Sequence, residues 1–201
     1  AKKESGTEKG KSIHNLEKPV SEDILRRVAF DRWNRSSLFD YLLPTETALE
    51  NFWRGNFRLL SKNPNEVQYQ AEWKQEKEGG RILLKGEIPM EGAGGAVLIE
   101  KTLLIKSKET RFHLIWKLSN YTSKNLETLA GSEWNFNFFH GECEEKGIMR
   151  VELQDGWSPI LLKIEGEDPF DYWQYPIETV AQTESDFRLM HQGISVFPHW
   201  R

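Results

Sequence analysis

From about residue 67 onward, apolar and polar residues alternate in short runs, the period of a strand whose successive side chains point to opposite faces. Val67–Lys74 shows it most strictly, with Val67, Tyr69, Ala71 and Trp73 predicted inward and Gln68, Gln70, Glu72 and Lys74 outward. A turn at Gly79-Gly80, a strand over 81–88, a glycine-rich turn over 89–95 and a strand over 97–105 follow. The next strand, 112–120, puts Phe112, Leu114, Trp116 and Leu118 on one face and His113 on the wetter one. In the run 126–141, Trp134, Phe136 and Phe138 share a face that belongs in a core. Glu133, Asn135, Asn137 and Phe139 share the other, which is either a solvated sheet face or the floor of a polar cleft. Strands over 147–153 and 160–165, a turn at Asp155-Gly156, a loop over 168–171 and an extended aromatic stretch over 172–180 lead to the closing segment 182–200.

The first third reads differently. Residues 1–18 are Lys, Glu, Gly and Ser with almost no apolar content, so they read as a flexible leader or inter-domain linker. Ser21-Glu22-Asp23-Ile24 has the form of a helix start, with acidic residues placed for the N-terminal dipole. Residues 28–43 fit two short strands joined by a polar turn at 34–37, and 46–53 fits one or two helical turns. Arg32, Arg35 and Asp40 are charges set among apolar residues, which points to a structural ion pair, an exposed edge or a polar contact at a domain interface. Many strands, frequent turns and little helix predict an antiparallel all-β fold of two large sheets packed face to face, with residues 19–201 as a single β-sandwich domain.

Composition narrows the function classes. The 201 residues carry a net charge of -4 with no basic block in the globular part, which argues against nucleic acid as a partner. No apolar run approaches the roughly 20 residues of a membrane helix, and no signal peptide is legible, so no membrane partner is expected. The single cysteine, Cys143, cannot form a disulfide within the chain and suits a reducing compartment, so a cytoplasmic location is expected. Phosphate-binding and nucleophile-elbow motifs are missing, and His140 with Cys143 lacks the partners of a zinc site, so neither cofactor nor metal is expected.

Glycosidase chemistry would need two carboxylates across a bond. Glu133, Asp155, Asp171, Glu178 and Glu184 are the candidates, and Glu133 and Glu184 stand out because they lie among Trp, Asn and Gln residues. The substrate-binding candidates are therefore Glu133, Asn135, Asn137 and Glu184. Of the eight tryptophans, Trp134, Trp157, Trp173 and Trp200 offer flat faces for sugar rings.

Three segments together resemble the C-terminal β-domain of family 57 glycoside hydrolases of the 4-α-glucanotransferase and α-amylase type. Phe30-Asp31-Arg32-Trp33-Asn34-Arg35-Ser36-Ser37 followed by Leu38–Leu43 resembles the family's Tyr-Asp-Arg, Arg-x-Ser and Leu-hydrophobic-Asp-His-Phe-Leu lead-in, with Tyr41 where the family usually has His. Ser132–Asn137 is similar to its Glu-hydrophobic-Asn strand. Tyr175–Glu184, with Gln192-Gly193 and Pro198-His199-Trp200, is similar to its Pro-hydrophobic-Glu-Thr-Val-Ser-Gln-Ser-Glu segment and closing Gln-Gly and Pro-x-Trp. The resemblance implies a galactose-mutarotase-like supersandwich. It also implies that the nucleophile and acid/base belong to an N-terminal (β/α) barrel absent from this chain, so no catalytic residue carries over. The implied role is a non-catalytic C-terminal domain that packs on that barrel and is a candidate contributor to α-glucan or maltooligosaccharide binding. Two rival readings remain: an aldose 1-epimerase-like enzyme drawing on Glu133, Glu184, His140 and His191, and a purely structural domain.

Overall fold

Strands account for most of the described chain. The computed structural model describes residues 20–29, 31–32, 34–61, 63–182 and 186–201, so the leader expected over 1–18 and Glu184 lie outside the described residues. Helix α1 (Glu22–Arg27) starts where the sequence places it, with Ser21 Oγ accepting the Ile24 amide at 3.4 Å. Strand β1 (Phe39–Leu43) and helix α2 (Leu49–Trp53) follow, then β2 (Gln70–Glu76), β3 (Gly79–Pro89), β4 (Ala96–Lys106) and β5 (Phe112–Asn120). Strands β6 (Leu129–Phe136), β7 (Cys143–Gln154), β8 (Leu161–Gln182) and β9 (Phe187–Trp200) complete the chain.

Two antiparallel sheets result. One has five strands in the order β1-β6-β9-β8-β7, and the other is the four-strand meander β2-β3-β4-β5. The described residues divide into two compact units. Residues 20–28, 178–182 and 186–191 form the smaller, in which Arg27 Nη2 meets Glu178 Oε1 at 2.5 Å. The larger holds the remaining described residues and the whole sandwich core.

The five-stranded sheet is covered on both faces. Leu42 and Ala130 pack against Ile88, Val97 and Ile99 of the meander, and farther along Phe112 stacks on Trp134 at 5.8 Å between ring centroids. On the other face, α2 presses Phe52 onto Phe197 at 4.7 Å, beside Tyr41, Leu129, Trp173 and Tyr175. Strand β6 explains the double cover. Its Ala130 and Trp134 meet the meander while Leu129 and Glu133 face the α2 side, which is the alternation expected of it. Phe138, with Trp134 and Phe136 packed alongside, joins a buried cluster with Tyr172, Ile194 and Val196.

Several expectations are corrected. Of the two short strands placed in 28–43, only the second forms, as β1; the described residues of 28–34 are not strand. Strand β2 begins at Gln70 instead of Val67, and all of it is exposed. Val67 and Tyr69 do reach the core, but Trp73 is 56% exposed. As the outer strand of its sheet, β2 carries Trp73 with no opposing layer above it, and the indole covers the bare backbone of Gly80, where a Cβ would lie 1.9 Å from the ring. The loop expected over 168–171 lies inside β8. The ladder with β7 skips from Arg150↔Glu165 to Ile148↔Phe170, so the chain bulges through Asp168-Pro169 because proline has no amide to give the ladder, and the strand resumes.

One buried group ties this core to pH. His199 lies under Trp173 at 4.4 Å between rings, with Nδ1 3.0 Å from the Phe197 carbonyl. Burial, partly opposed by that carbonyl, pulls the imidazole below its ordinary value. An unfolded chain takes up the proton near pH 6.5 while the folded one refuses it, so stability present above pH 6.5 is lost as the pH falls. Unfolding free energies of the wild type and His199→Gln are therefore expected to converge between pH 7 and 5; parallel curves would show that His199 is not responsible.

Candidate functional site

Glu133 is the centre of a buried polar cluster. Strand β6 turns it toward the α2 side of the five-stranded sheet, where it is only 5% exposed. Three hydroxyls donate to its carboxylate: Tyr175 Oη to Oε1 at 2.7 Å, Ser195 Oγ to Oε1 at 2.5 Å and Tyr41 Oη to Oε2 at 2.7 Å. The Arg35 guanidinium supplies a fourth contact, Nη1 to Oε1 at 3.3 Å, and its Nη2 bonds Asp31. These donors come from β8, β9, β1 and the segment before β1, and they meet because β6 lies between β1 and β9.

Electrostatics fix the protonation pattern around the carboxylate. Burial alone would pull Arg35 down, but the facing Tyr175, Asp31 and Glu133 outweigh it and hold the guanidinium above its ordinary range. Burial, followed by the Glu133 charge, pushes the Tyr175 phenol well up, so it remains a donor. Beside the cluster, among Arg32, Phe39, Trp53 and Phe57, is a crevice of about 30 Å³, with room for roughly one or two waters. A carboxylate so placed holds strands together and clamps Arg35, and through it Asp31, onto β6. Leu38 N adds a main-chain bond to the Glu133 carbonyl at 2.7 Å.

The polar row does not stay together. Asn135 is half-buried and fastened to the turn before β1, its amide nitrogen donating to Ser36 O at 3.0 Å and its main-chain N–H to Ser37 Oγ at 3.0 Å. Asn137, beyond the end of β6, is exposed. The other described carboxylate candidates have local duties. Asp155 accepts the Phe139 amide at 2.8 Å and lies 3.5 Å from His140 Nε2, Asp171 accepts the Gly147 amide at 3.0 Å, and Glu178 pairs with Arg27. Of the four tryptophans considered for stacking, Trp173 is buried and Trp134 and Trp200 half-buried, which leaves Trp157 open to solvent. Among the described residues no three His, Cys, Asp or Glu groups are arranged to hold a metal, and no helix is long and apolar enough to cross a membrane.

Asp40 resolves to the ion pair among its three sequence readings. It faces the meander, pairs with Lys101 Nζ at 2.7 Å and accepts a bond from the Tyr69 hydroxyl, with each charged side chain only 1% exposed. Burial pushes Asp40 up and Lys101 down, and each charge opposes the other's shift. Sequence reading missed the partners of Glu133. Arg35 stood out as an embedded charge, but Tyr41 was noted only as standing where the family usually has His, and Tyr175 and Ser195 were given no polar role. The available signal was that Tyr41 and Tyr175, on alternating strands, each place a hydroxyl among core residues.

The family model described as "Alpha-amylase/4-alpha-glucanotransferase, C-terminal" matches residues 1–201. The chain belongs to this family. It is similar to part of much longer proteins. It is 28% identical over 187 residues to an alpha-amylase of Pyrococcus furiosus, which covers 92% of this chain and 26% of the relative. It is 26% identical over 197 residues to a 4-alpha-glucanotransferase of Thermococcus litoralis, covering 96% of this chain and 29% of the relative. The crystal structure of 4-alpha-glucanotransferase from Thermococcus litoralis superposes with a TM-score of 0.73 at 22% identity, over 90% of this chain and 28% of that one, a likeness of fold. The C-terminal domain thus spans less than a third of the relatives it matches.

Proposed function

We propose that this chain is the non-catalytic C-terminal β-domain of a longer, cytoplasmic α-glucan-processing enzyme of the glycoside hydrolase family 57 kind, packing on a catalytic (β/α) barrel. The family match over the whole chain and the small share of each relative that it covers support the domain reading. The names of those relatives, alpha-amylase and 4-alpha-glucanotransferase, supply the substrate class.

The observation that carries the non-catalytic part is the engagement of both Glu133 oxygens by protein donors in a buried site. A general base must come within about 2.6–3.2 Å of the proton it removes. Both Glu133 oxygens are already occupied by protein donors, and the adjoining crevice of about 30 Å³ is far below the roughly 300 Å³ of a small-molecule site. In the row Glu133, Asn135 and Asn137, the exposed Asn137 is the member open to a sugar. The purified chain is expected to leave glucose and galactose mutarotation at the buffer rate and maltoheptaose uncleaved and untransferred. A rate above buffer that Glu133→Gln removes would overturn the reading in favour of an epimerase.

A further inference from the structure

Strand β3 runs part of its length without a partner on one side. Strand β2 pairs with it only as far as Gln70↔Lys85, and the next link is the single bridge Ser61↔Met90. Between these points Gly86–Pro89 faces the segment 66–69, which lies alongside without joining the ladder. The gap is a groove of about 660 Å³, inside the ~300–1,000 Å³ range of ligand clefts.

Its inner wall is closed by design of the sequence. A Cβ on Gly86 would lie 2.9 Å from the Tyr69 ring and 3.1 Å from Val67, so both side chains seat directly on bare backbone and continue into the core. Its rim is polar. Glu66, Gln68 and Gln70 stand exposed on one side, Lys85 and Glu87 on the other, with Lys85 held by Glu100 at 2.9 Å.

The Gln68 and Gln70 carboxamides and the Glu66 carboxylate on one bank, with the Glu87 carboxylate on the other, offer donors and acceptors over an apolar floor, and Lys85, the one cation among the described lining residues, is already paired with Glu100. This suits a neutral polyhydroxylated ligand better than an anion. A peptide strand would need to run on along the β3 edge, but the ladder at Gln70 and the bridge at Ser61 shut both ends, whereas a short sugar can enter from solvent. We propose that this groove binds a short neutral oligosaccharide, an α-linked glucan segment, with Gln68 and Gln70 as its principal hydrogen-bonding residues. The sugar's identity rests on the glucan-processing reading above; the groove itself supplies the ligand class.

The test is titration of the ¹⁵N-labelled 201-residue chain with maltoheptaose. Saturable shifts are expected at residues 66–70 and 85–87, with a midpoint below about 10 mM. Gln68→Ala with Gln70→Ala is expected to weaken binding at least about five-fold without changing the thermal midpoint. No saturable shift, shifts indifferent to the double variant, or an extended peptide saturating these residues when maltoheptaose does not, would each overturn the proposal. Shifts at Asn137 alone would remove the groove and leave the glucan reading standing, whereas turnover of the sugar would remove that reading itself.

Discussion

Lys101→Met is expected to lower the unfolding free energy by about 3–5 kcal/mol, because it leaves the Asp40 carboxyl buried between the sheets without its counter-ion, to bear an unpaired charge or take up a proton. The pair lies where water cannot help, with both side chains 1% exposed. Lys101 also donates to the Leu38 carbonyl, so the ammonium fastens the start of β1 as well as the carboxylate. The same volume filled with apolar groups should behave differently. Adding Asp40→Leu, and Tyr69→Phe to remove the hydroxyl then lacking its acceptor, is expected to recover most of the loss. Urea melts of the single and triple variants would decide it. A single variant within about 1 kcal/mol of wild type would mean that solvent reaches the pair after all.

Glu133→Ala is expected to cost a similar amount, about 3–5 kcal/mol, by leaving three buried hydroxyls without their acceptor and removing one of the two carboxylates that face the Arg35 guanidinium. Glu133→Gln keeps the shape and one acceptor oxygen, so a smaller loss of about 1.5–3 kcal/mol is expected. Denaturant midpoints and unchanged m-values would register both. Should Glu133→Ala unfold like the wild type, the carboxylate would not be a structural hub, and a ligand role would regain its claim. Loss of glucan binding in such a variant therefore carries meaning only at temperatures where the variant is shown to be folded.

How far these features were legible follows from what alternation can say. It assigned Trp134, Phe136 and Phe138 to one face and Phe112, Leu114, Trp116 and Leu118 to another, because period two is a property of each strand alone. It could not say that the opposite sheet stops short of Trp73, since the reach of a sheet depends on strands elsewhere in the chain. Pro169 read as a loop because proline breaks a ladder; that a bulge would carry the strand past it is decided by the pairing with β7. Glu133 was singled out on a row expected to be either a solvated sheet face or the floor of a polar cleft, and it is buried. Its burial depends on Tyr41, Tyr175 and Ser195, which no local pattern joins to it. The two-sheet antiparallel architecture was legible because it needs only many alternating strands and few helices.

The strand order of the five-stranded sheet also constrains when that sheet can exist during synthesis. The meander is built from consecutive strands and is complete once Asn120 has been made. The larger sheet has β9 between β6 and β8, so its middle is supplied by the last segment of this chain. Until then the only pairings of this sheet open to a nascent chain are β1 with β6 and β7 with β8, each with an open edge where β9 inserts in the finished sheet. Truncation before Phe187 would make that state permanent, leaving two exposed edges of the kind that pair with other chains.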